Sequence, residues 1–316
     1  MQFTMNSTRD TTEVDALDME YRVSRMKSVA SAWNLKLVGP LIAEYKIPEE
    51  ILDEFQSLLQ IYVLRCLLGK FSMRIFQDFD DIDVDTLRGC RTNVTPNGAL
   101  VPKTEYQLMY NLLLMKWFDI YKGMISADPS FVRLVRVTPN IRLKFGRELE
   151  DNKNRGLNTE YPHSDAWVEG PWGMNCFFPI IGDYKRNNLK FYEPKIFDES
   201  FLTRAPSYLD MQWVMKNYKK INFLPRLGNL YISDYAMIHN THRKKNSKVR
   251  VSIDSTVFVD KYNKPPKSRI NEYRKIIPYL GVNEIVDAGQ YEDDKYSEKK
   301  GVYSHYTSRS VRSIIL

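Results

Sequence analysis

The chain contains four histidines, and one of them, His163, stands two residues before an aspartate, Asp165. On a strand, residues two apart point to the same side, so an imidazole nitrogen and a carboxylate oxygen would face one point. Both groups bind divalent metals, but one histidine and one carboxylate need further help to hold a metal. The pair therefore predicts half of a metal site, with a third ligand supplied from elsewhere in the chain.

A second segment, GNLYISDYAMIHNTHRKKNSKVRVSID over residues 228–254, contains His239 and His242. Its pattern predicts a strand, a histidine, a polar turn through Asn246 and Ser247, and a returning strand. Either histidine can complete a set of two histidines and one carboxylate. That set is typical of non-haem Fe(II) oxygenases, because it leaves metal positions open for other ligands.

The returning strand carries Arg250 and Ser252 two positions apart, so both side chains face one way. A guanidinium fork beside a hydroxyl group suits a carboxylate ligand. His239 precedes Arg250 by eleven residues and His242 precedes it by eight. A hairpin must bring ligand and arginine onto one inner face, and at this point either His239 or His242 is open as the third metal ligand.

The order of these segments resembles the Fe(II)/2-oxoglutarate-dependent dioxygenases, in particular the phytanoyl-CoA dioxygenase-like branch and oxygenases similar to the streptomycin-biosynthesis type. The family pattern runs from HSD through an aromatic strand ending in proline to G[DN]LxxFD, HGTxxN and [KR]xRxSxD. The chain has HSD followed by FFPI, then GNLYISD, HNT and KVRVSID. The resemblance covers about residues 130–260, and Asn240 stands where the family usually has glycine.

The resemblance implies that His163, Asp165 and His239 hold Fe(II), and that Arg250 with Ser252 binds the far carboxylate of 2-oxoglutarate. O₂ is then the second co-substrate. The expected reaction hydroxylates or otherwise oxidises an unactivated C–H bond and releases succinate and CO₂. The expected substrate is a small polar metabolite or natural-product intermediate, with an anionic one as an open alternative.

Further predictions concern residues near these motifs. Asn175, on the strand after HSD, is a candidate ligand of the co-substrate, or else bonds a neighbouring loop. Trp167 and Trp172 are candidate walls of the substrate pocket, or else pack in the core. Arg142, like Arg136, precedes HSD on a predicted strand and is a candidate partner for an anionic substrate, with a surface strand position as the alternative.

Composition limits the other functional classes. The 43% of hydrophobic residues among 316 supply a sizeable core, and the net charge of +7 is interleaved with acidic residues, so no nucleic-acid partner is predicted. No apolar run reaches the roughly 20 residues of a membrane span, the N-terminus lacks a secretory apolar region, and the three cysteines form no disulfide framework. We therefore expect a cytoplasmic protein without a membrane partner, of open oligomeric state.

Periodicity predicts helices in the first third and strands afterwards. Apolar residues recur at helical spacing over 13–37, 48–79 and 103–125, and the turn-rich segment 80–102 predicts a flap-like loop. A short helix is predicted within 206–220. Strands are predicted for the runs FVRLVRVTP, IRLKF, MNCFFPII, LKFYEP, NLYISD and VRVSIDSTVFV, with turns at Gly182-Asp183, Asn187-Asn188 and Leu227-Gly228-Asn229.

Many short, evenly spaced strands predict an α+β fold with a double-stranded β-helix core, a jelly roll of the cupin kind, packed against N-terminal helices. The expected division is a helical region over 1–128, the catalytic core over 129–262 and a polar C-terminal arm over 263–316 in the same globular unit. A cupin-like metal-dependent isomerase and a non-catalytic barrel binding protein stay open. An isomerase needs no dicarboxylate clamp such as Arg250 and Ser252, and a binding protein needs no complete set of metal ligands.

Overall fold

Helices cover one face of a large antiparallel sheet, and a smaller antiparallel sheet lies across a cavity from its other face. This mixed architecture confirms the predicted α+β class. The computed structural model describes residues 16–68, 84–90, 94–100, 106–127, 134–136, 139–147, 149, 157–202, 206–259 and 273–274.

The helices of the described part lie mainly in the first half of the chain. They are α1 Met19–Ala32, α2 Glu49–Leu68, α3 Val84–Gly89, α4 Gln107–Ile125 and α5 Ala166–Glu169, with 3₁₀ turns at Glu199–Leu202 and Gln212–Asn217. Local chemistry fixes several of their starts. Asp18 caps α1, since its side chain accepts a hydrogen bond from the backbone N–H of Tyr21, and Glu49 and Glu50 place negative charge at the positive end of α2.

The strands of the described part form the two sheets. They are β1 Lys36–Gly39, β2 Ile42–Lys46, β3 Leu134–Arg136, β4 Asn140–Lys144, β5 Met174–Gly182, β6 Asn187–Pro194, β7 Tyr218–Lys220, β8 Asn229–Asp234, β9 Ile238–Arg243, β10 Arg250–Phe258 and β11 Tyr273–Arg274. The large sheet has the order β1-β2-β8-β5-β10-β3-β11, and β4 also pairs with β10. The small sheet has the order β7-β6-β9.

Period-two alternation separates the two faces of the large sheet. On β5, Phe178 points toward the helices and stacks on Phe55 of α2 with ring centroids 6.0 Å apart, while Phe177 lines the cavity on the other side. On β10, Val251 and Ile253 belong to the helix-side core. The cavity side of β10 carries Arg250, Ser252, Asp254 and Thr256. Alternation therefore places the hydrophobic core and the polar site on opposite faces of the same strands.

The first third is less helical than the sequence predicts. The helix expected over 13–37 ends at Ala32, and Asn34 adopts a positive φ of 53° before β1 begins. Positive φ interrupts a helix, and asparagine tolerates it better than most residues. The hairpin of β1 and β2 then joins the large sheet beside β8, so the first 128 residues contribute strands as well as helices.

Other elements follow the predictions with local differences. NLYISD forms β8, MNCFFPII lies in β5, and VRVSIDSTVFV contains β10. The turn expected at Asn187-Asn188 is wrong, because both residues begin β6, and β9 was not predicted as a strand. Within 206–220 the predicted helix is a 3₁₀ turn followed by β7.

Several predictions lie partly or wholly outside the described residues. They include residues 69–79 of the second predicted helix and most of the C-terminal arm, of which only β11 is described, paired with β3. The three cysteines, Cys66, Cys90 and Cys176, are free and buried. Among the helices of the described ranges, none combines the length and apolar character that crossing a membrane requires.

Candidate metal and co-substrate site

The predicted ligand residues lie in a cavity of about 490 Å³ between the two sheets. Strands β4, β5 and β10 form one wall, and Leu189 of β6 and His239 of β9 lie on the other. The tip of a short turn at Thr95, Pro96 and Asn97, within the segment predicted as a flap, borders the cavity as well. Its volume falls within the range of about 300–1,000 Å³ common for small-molecule pockets.

His163 reaches this cavity through a β-bridge and not through a regular strand. Its backbone N–H donates to the carbonyl of His239 at 2.9 Å, and the N–H of His239 donates back at 2.9 Å. The strand predicted for Asp165 is wrong. Asp165 has helical backbone geometry and directly precedes α5. The bridge brings His163 and His239 together directly, which two separate strand predictions could not specify.

The three predicted metal ligands converge. One candidate ligand atom from each of His163, Asp165 and His239 lies within 4.8 Å of the other two. The Nε2 atom of His239 is 3.8 Å from the Oδ2 atom of Asp165. Within the described ranges, this is the cluster of histidine, cysteine and carboxylate groups that could hold a metal ion.

Hydrogen bonding selects the nitrogen of His163 that is left for a metal. Its Nδ1 atom lies 2.8 Å from the carbonyl oxygen of Tyr161, which can only accept, so Nδ1 carries the proton. Nε2 therefore keeps its lone pair, the arrangement common in metal-binding histidines. Tyr208 stacks on the same ring with centroids 4.3 Å apart and restricts its rotation.

Both histidines are held in the neutral form that binds metals. Burial lowers the pKa of His163 well below its ordinary value, and the neighbouring His239 lowers it further. Burial likewise lowers the pKa of His239 to about 4, against the opposing effect of Asp254. At neutral pH a metal therefore displaces no proton from either ring.

Asn175 contacts a metal-ligand candidate directly. Its Nδ2 atom donates to the Oδ2 atom of Asp165 at 2.7 Å, and its side chain lines the cavity from β5. The bond orients the carboxylate, as partners of ligating carboxylates commonly do. The co-substrate role predicted for Asn175 stays a prediction beside this contact with the neighbouring loop.

His242 lies outside the cavity. It is three positions from His239 on β9, so its side chain points to the opposite side of the strand. It is half-buried and pairs across the sheet with Asn188. The structure thus brings His239, and not His242, to the other two candidate ligands.

Arg250 and Ser252 place polar groups without partners in the cavity wall. Both side chains are buried, and within the described part of the chain neither Nε of Arg250 nor Oγ of Ser252 has a hydrogen-bond partner. Nη1 of Arg250 makes a long bond of 3.4 Å to the carbonyl oxygen of Asn187, and its guanidinium lies 5.3 Å from the ring centre of Phe177. Burial lowers the pKa of Arg250 to about 9, because desolvation disfavours the charged guanidinium.

Two charged residues of this wall were not singled out from the sequence. Lys144 of β4 is the register partner of Arg250, so both cations emerge on one side of the sheet, and its Nζ atom donates to Thr159 at 2.9 Å. Asp254 lies further along β10 on the same side. Alternation supplied a signal for both, because Lys144 is two residues from Arg142 and Asp254 is two from Ser252.

Arg142 lines the cavity but binds a carboxylate of the protein itself. Its Nε and Nη2 atoms donate to the two carboxylate oxygens of Asp254 at 2.6 and 3.1 Å. Burial alone would raise the pKa of Asp254. Arg142, a hydrogen bond from Asn140 and the charge of Arg136 outweigh burial and lower that pKa to about 2. The guanidinium of Arg142, predicted as a partner for an anionic substrate, is therefore already paired with Asp254.

The pairing predicts how Asp254→Asn alters stability. Because the folded pKa of about 2 lies below the ordinary 3.8, the ionised carboxylate stabilises the fold above pH 3.8 and this contribution is lost as pH falls toward 2. We expect the variant to lower the free energy of unfolding by on the order of 2 kcal/mol at pH 7. The difference from the unmodified protein should shrink below about pH 4, measured by urea unfolding across pH.

An exposed aspartate supplies the control. Asp85 pairs with Arg88 on α3 with both side chains more than half exposed, so Asp85→Asn should not change the unfolding free energy measurably. A difference between Asp254→Asn and the unmodified protein that stays constant from pH 7 to pH 2 would contradict the assigned pairing.

The two tryptophans pack away from the cavity. Trp167, on α5, belongs to a small buried cluster with Tyr208 and Val214. Trp172 lies edge-on to Tyr21 and under the guanidinium groups of Arg22 and Arg25 from α1. Neither indole is among the described residues that line the cavity, so the packing alternative accounts for both positions.

Comparison with protein-family models and with curated proteins finds no match. Among solved structures, the chain is similar to the non-haem α-ketoglutarate-dependent carbocyclase SnoK of nogalamycin biosynthesis, with 11% identity and a TM-score of 0.41 over 80% of this chain and 87% of that one. It is also similar to an N-substituted L-amino acid dioxygenase from Burkholderia ambifaria AMMD, in complex with α-ketoglutarate. There the identity is 9% and the TM-score 0.38, over 81% of this chain and 91% of that one.

A third similar structure is the non-haem α-ketoglutarate-dependent epimerase SnoN, also of nogalamycin biosynthesis. Its identity is 12% and its TM-score 0.36, over 74% of this chain and 83% of that one. These likenesses are distant. What the cavity can do chemically follows from the chain's own residues, which are two neutral histidines, a carboxylate and a buried arginine with an unpartnered nitrogen.

Proposed function

We propose that this chain is a non-haem Fe(II)/2-oxoglutarate-dependent oxygenase. It oxidises a C–H bond of a small molecule, by default to a hydroxyl group, while 2-oxoglutarate and O₂ are converted to succinate and CO₂. The observation that carries the proposal is one cavity that combines a His163-Asp165-His239 cluster with the buried, incompletely bonded Arg250.

The donor set fits a redox-active divalent metal with open positions. Two neutral imidazoles and one carboxylate suit Fe(II), and none of the three cysteines, which would favour softer metals, belongs to the cluster. His163 would bind through Nε2, since Tyr161 holds the proton on Nδ1. The hydrogen bond of 2.7 Å that Asn175 donates to Asp165 fixes the orientation of that carboxylate. Iron with its two co-substrates would supply the oxidising power, and these residues hold and orient it.

The cationic end of the cavity fits the far carboxylate of 2-oxoglutarate. An isolated buried guanidinium is costly, so a carboxylate that pairs with Arg250 relieves that cost. The Oγ atom of Ser252 supplies a neighbouring donor, and Lys144 adds a second positive charge beside Arg250. Both positive charges attract the single far carboxylate of the co-substrate.

The wider architecture supports a double-stranded β-helix core. Two antiparallel sheets face each other across the cavity, and each contributes residues to the site. On this proposal residues 129–262 form the catalytic core, the helical region over 1–128 packs on it, and the polar arm over 263–316 belongs to the same unit. The volume of about 490 Å³ leaves room for a small substrate beside 2-oxoglutarate.

The proposal predicts slow conversion of 2-oxoglutarate to succinate even without the true substrate. Purified protein is loaded with Fe(II) under anaerobic conditions, mixed with 2-oxoglutarate and oxygenated buffer, and succinate is measured. We expect succinate that depends on added Fe(II), and a drop to background in His163→Ala, because one of the three ligands is lost.

Near-ultraviolet circular dichroism of His163→Ala separates a lost site from a lost fold. Unmodified protein that binds no divalent metal and forms no succinate would refute the oxygenase. Metal binding without 2-oxoglutarate binding would instead favour the cupin-like isomerase.

A further inference from the structure

Tyr208 contacts the loop that carries two of the three candidate metal ligands. Its ring lies nearly parallel to the imidazole of His163, with centroids 4.3 Å apart and planes 14° from each other. Its centroid also lies 6.2 Å from that of the Trp167 indole. His163 and Trp167 stand two residues before and two residues after Asp165. One aromatic ring therefore contacts both ends of the segment that holds Asp165.

The position of Tyr208 is itself fixed through its backbone and its ring. Its carbonyl oxygen accepts a hydrogen bond of 2.6 Å from the Nε2 atom of Gln212. The same amide group donates at 2.9 Å to the carbonyl oxygen of Pro162, the residue before His163. Gln212 therefore ties the backbone of Tyr208 to the backbone beside the metal-ligand candidate. The ring of Tyr208 is buried, with 6% of the residue exposed, in the cluster that also contains Tyr218.

The hydrogen bond at Nδ1 and the stack on Tyr208 restrict the ring of His163 in different ways. The bond of 2.8 Å to the carbonyl oxygen of Tyr161 determines which nitrogen keeps its lone pair. That lone pair lies in the plane of the ring, so the orientation of the plane decides where Nε2 can bind a metal. The χ2 torsion of histidine is broad, and one hydrogen bond still permits the ring to tilt. The parallel face of Tyr208 opposes that tilt, because close-packed rings collide when one of them rotates.

We infer that Tyr208 is a positioning residue for the metal and acts by holding the ring plane of His163. This inference rests on the proposed function, because it takes His163 as an Fe(II) ligand. Tyr208 belongs to residues 206–217, which lie between β6 and β7 and outside the motifs HSD, GNLYISD, HNT and KVRVSID. A segment that supplies none of the three candidate ligands therefore contributes to metal affinity.

A role in packing alone gives a different expectation. If the ring of Tyr208 only fills the buried cluster, its loss lowers the stability of the fold and leaves metal affinity unchanged. Tyr208→Leu removes the flat ring and keeps an apolar side chain, whereas Tyr208→Phe keeps the ring and loses only the hydroxyl group. Tyr218→Leu is the matched control. Tyr218 belongs to the same cluster and is also 6% exposed, and within the described part of the chain its ring stacks on no histidine.

Calorimetric titration of the full chain with Mn(II) at pH 7.5 measures the metal affinity of each variant, and thermal unfolding without metal measures its stability. We expect Tyr208→Leu to raise the Kd of Mn(II) about tenfold or more, the size of effect typical of groups that orient a metal ligand. Tyr208→Phe should leave the Kd unchanged, because the stack persists. Tyr218→Leu should lower the melting temperature, as Tyr208→Leu does, without changing the Kd.

A second variant tests the same inference without changing an aromatic ring. Gln212→Ala removes the two hydrogen bonds that tie Tyr208 to Pro162. We expect the Kd of Mn(II) to rise, by less than in Tyr208→Leu, because the ring is still present but its backbone is released. Gln56→Ala is the control. Gln56 is likewise half-buried and donates at 3.0 Å to a backbone carbonyl, that of Ile180, so this variant should leave the Kd unchanged.

The outcomes separate this inference from the proposed function. An unchanged Kd in Tyr208→Leu overturns the role of Tyr208, and so does a rise of equal size in Tyr208→Phe or in Tyr218→Leu. If Tyr208→Leu does not fold, an unchanged Kd in Gln212→Ala overturns it instead. Any of these results leaves the oxygenase standing, provided that the unmodified protein binds Mn(II) and forms succinate with Fe(II). Unmodified protein that binds no Mn(II) fails the oxygenase first, and the inference falls with it.

Discussion

Replacing His239 by alanine is expected to abolish tight binding of divalent metal, whereas replacing His242 leaves it unchanged. The two histidines lie three positions apart on β9 and point to opposite sides of the strand. His239 is buried in the cavity with its Nε2 atom 3.8 Å from Asp165, and His242 is half-buried outside it. The strand therefore supplies a matched control in the same element, with the same chemical change.

The expected effect is large because one of three ligands is lost. Loss of groups that only orient a ligand weakens metal binding by about 10–100-fold, so loss of a ligand should exceed about 100-fold. Calorimetric titration with Mn(II) at pH 7.5 measures the metal affinity of both variants. At this pH the buried ring of His239 is neutral in the unmodified protein, because its pKa is about 4. Equal metal affinity of His239→Ala and the unmodified protein, or a loss confined to His242→Ala, would contradict the assigned ligand set.

The grouping of His163, Asp165 and His239 was predictable because candidate metal-binding residues are few in this chain and their types are specific. The order of His163, Asp165, a later histidine and the Arg250-Ser252 pair in the sequence predicted these residues as one cluster. Alternation on β10 also carried information, since residues two apart from Arg250 onward share the cavity face. The route by which Asp165 reaches the cluster was not predictable, because a helix start and a β-bridge replace the expected strand.

Elements that are stabilised by contacts between residues far apart in the sequence were not predicted. The hairpin of β1 and β2 follows a helix closely and acquires its role only by pairing with β8. Asn187 has the composition of a turn, yet its side-chain amide donates to the carbonyls of Lys144 and Lys248, so tertiary bonding places it in β6. Strand β9 carries polar side chains on both faces and lacks the apolar alternation that marks a strand.

The tryptophans show that closeness in sequence to a metal ligand does not place a side chain in the pocket. Trp172 follows Asp165 by seven residues, but its ring lies 5.1 Å from the guanidinium of Arg22. That arginine forms a buried ion pair with Asp234 at the end of β8 and donates to the carbonyl of Pro171. Trp172 therefore packs against helix α1 through contacts between residues about 150 positions apart in the sequence. Local sequence patterns do not encode such contacts.

Arg250→Met is expected to remove 2-oxoglutarate binding while leaving the fold intact. Methionine fills a similar path without the charge, and burial of the Arg250 guanidinium is already costly, as its pKa of about 9 indicates. The metal-free, ligand-free variant should therefore melt at or above the temperature of the unmodified protein. Binding should weaken by roughly 2–5 kcal/mol, or at least about 30-fold in Kd, because the co-substrate carboxylate loses its buried partner.

Calorimetry of 2-oxoglutarate on Mn(II)-loaded protein and thermal unfolding without ligand give the two readouts. Arg186→Met, an exposed arginine whose side chain bonds only a turn carbonyl among the described contacts, controls for the loss of one positive charge. Arg250→Lys should fall between, since it keeps the charge but loses the fork that pairs with a carboxylate. A Kd that Arg250→Met leaves unchanged would remove the arginine from the co-substrate site. An equal loss of 2-oxoglutarate affinity in Arg186→Met would assign the effect to net charge. The two variants lose the same charge, and only Arg250 is proposed to contact the co-substrate.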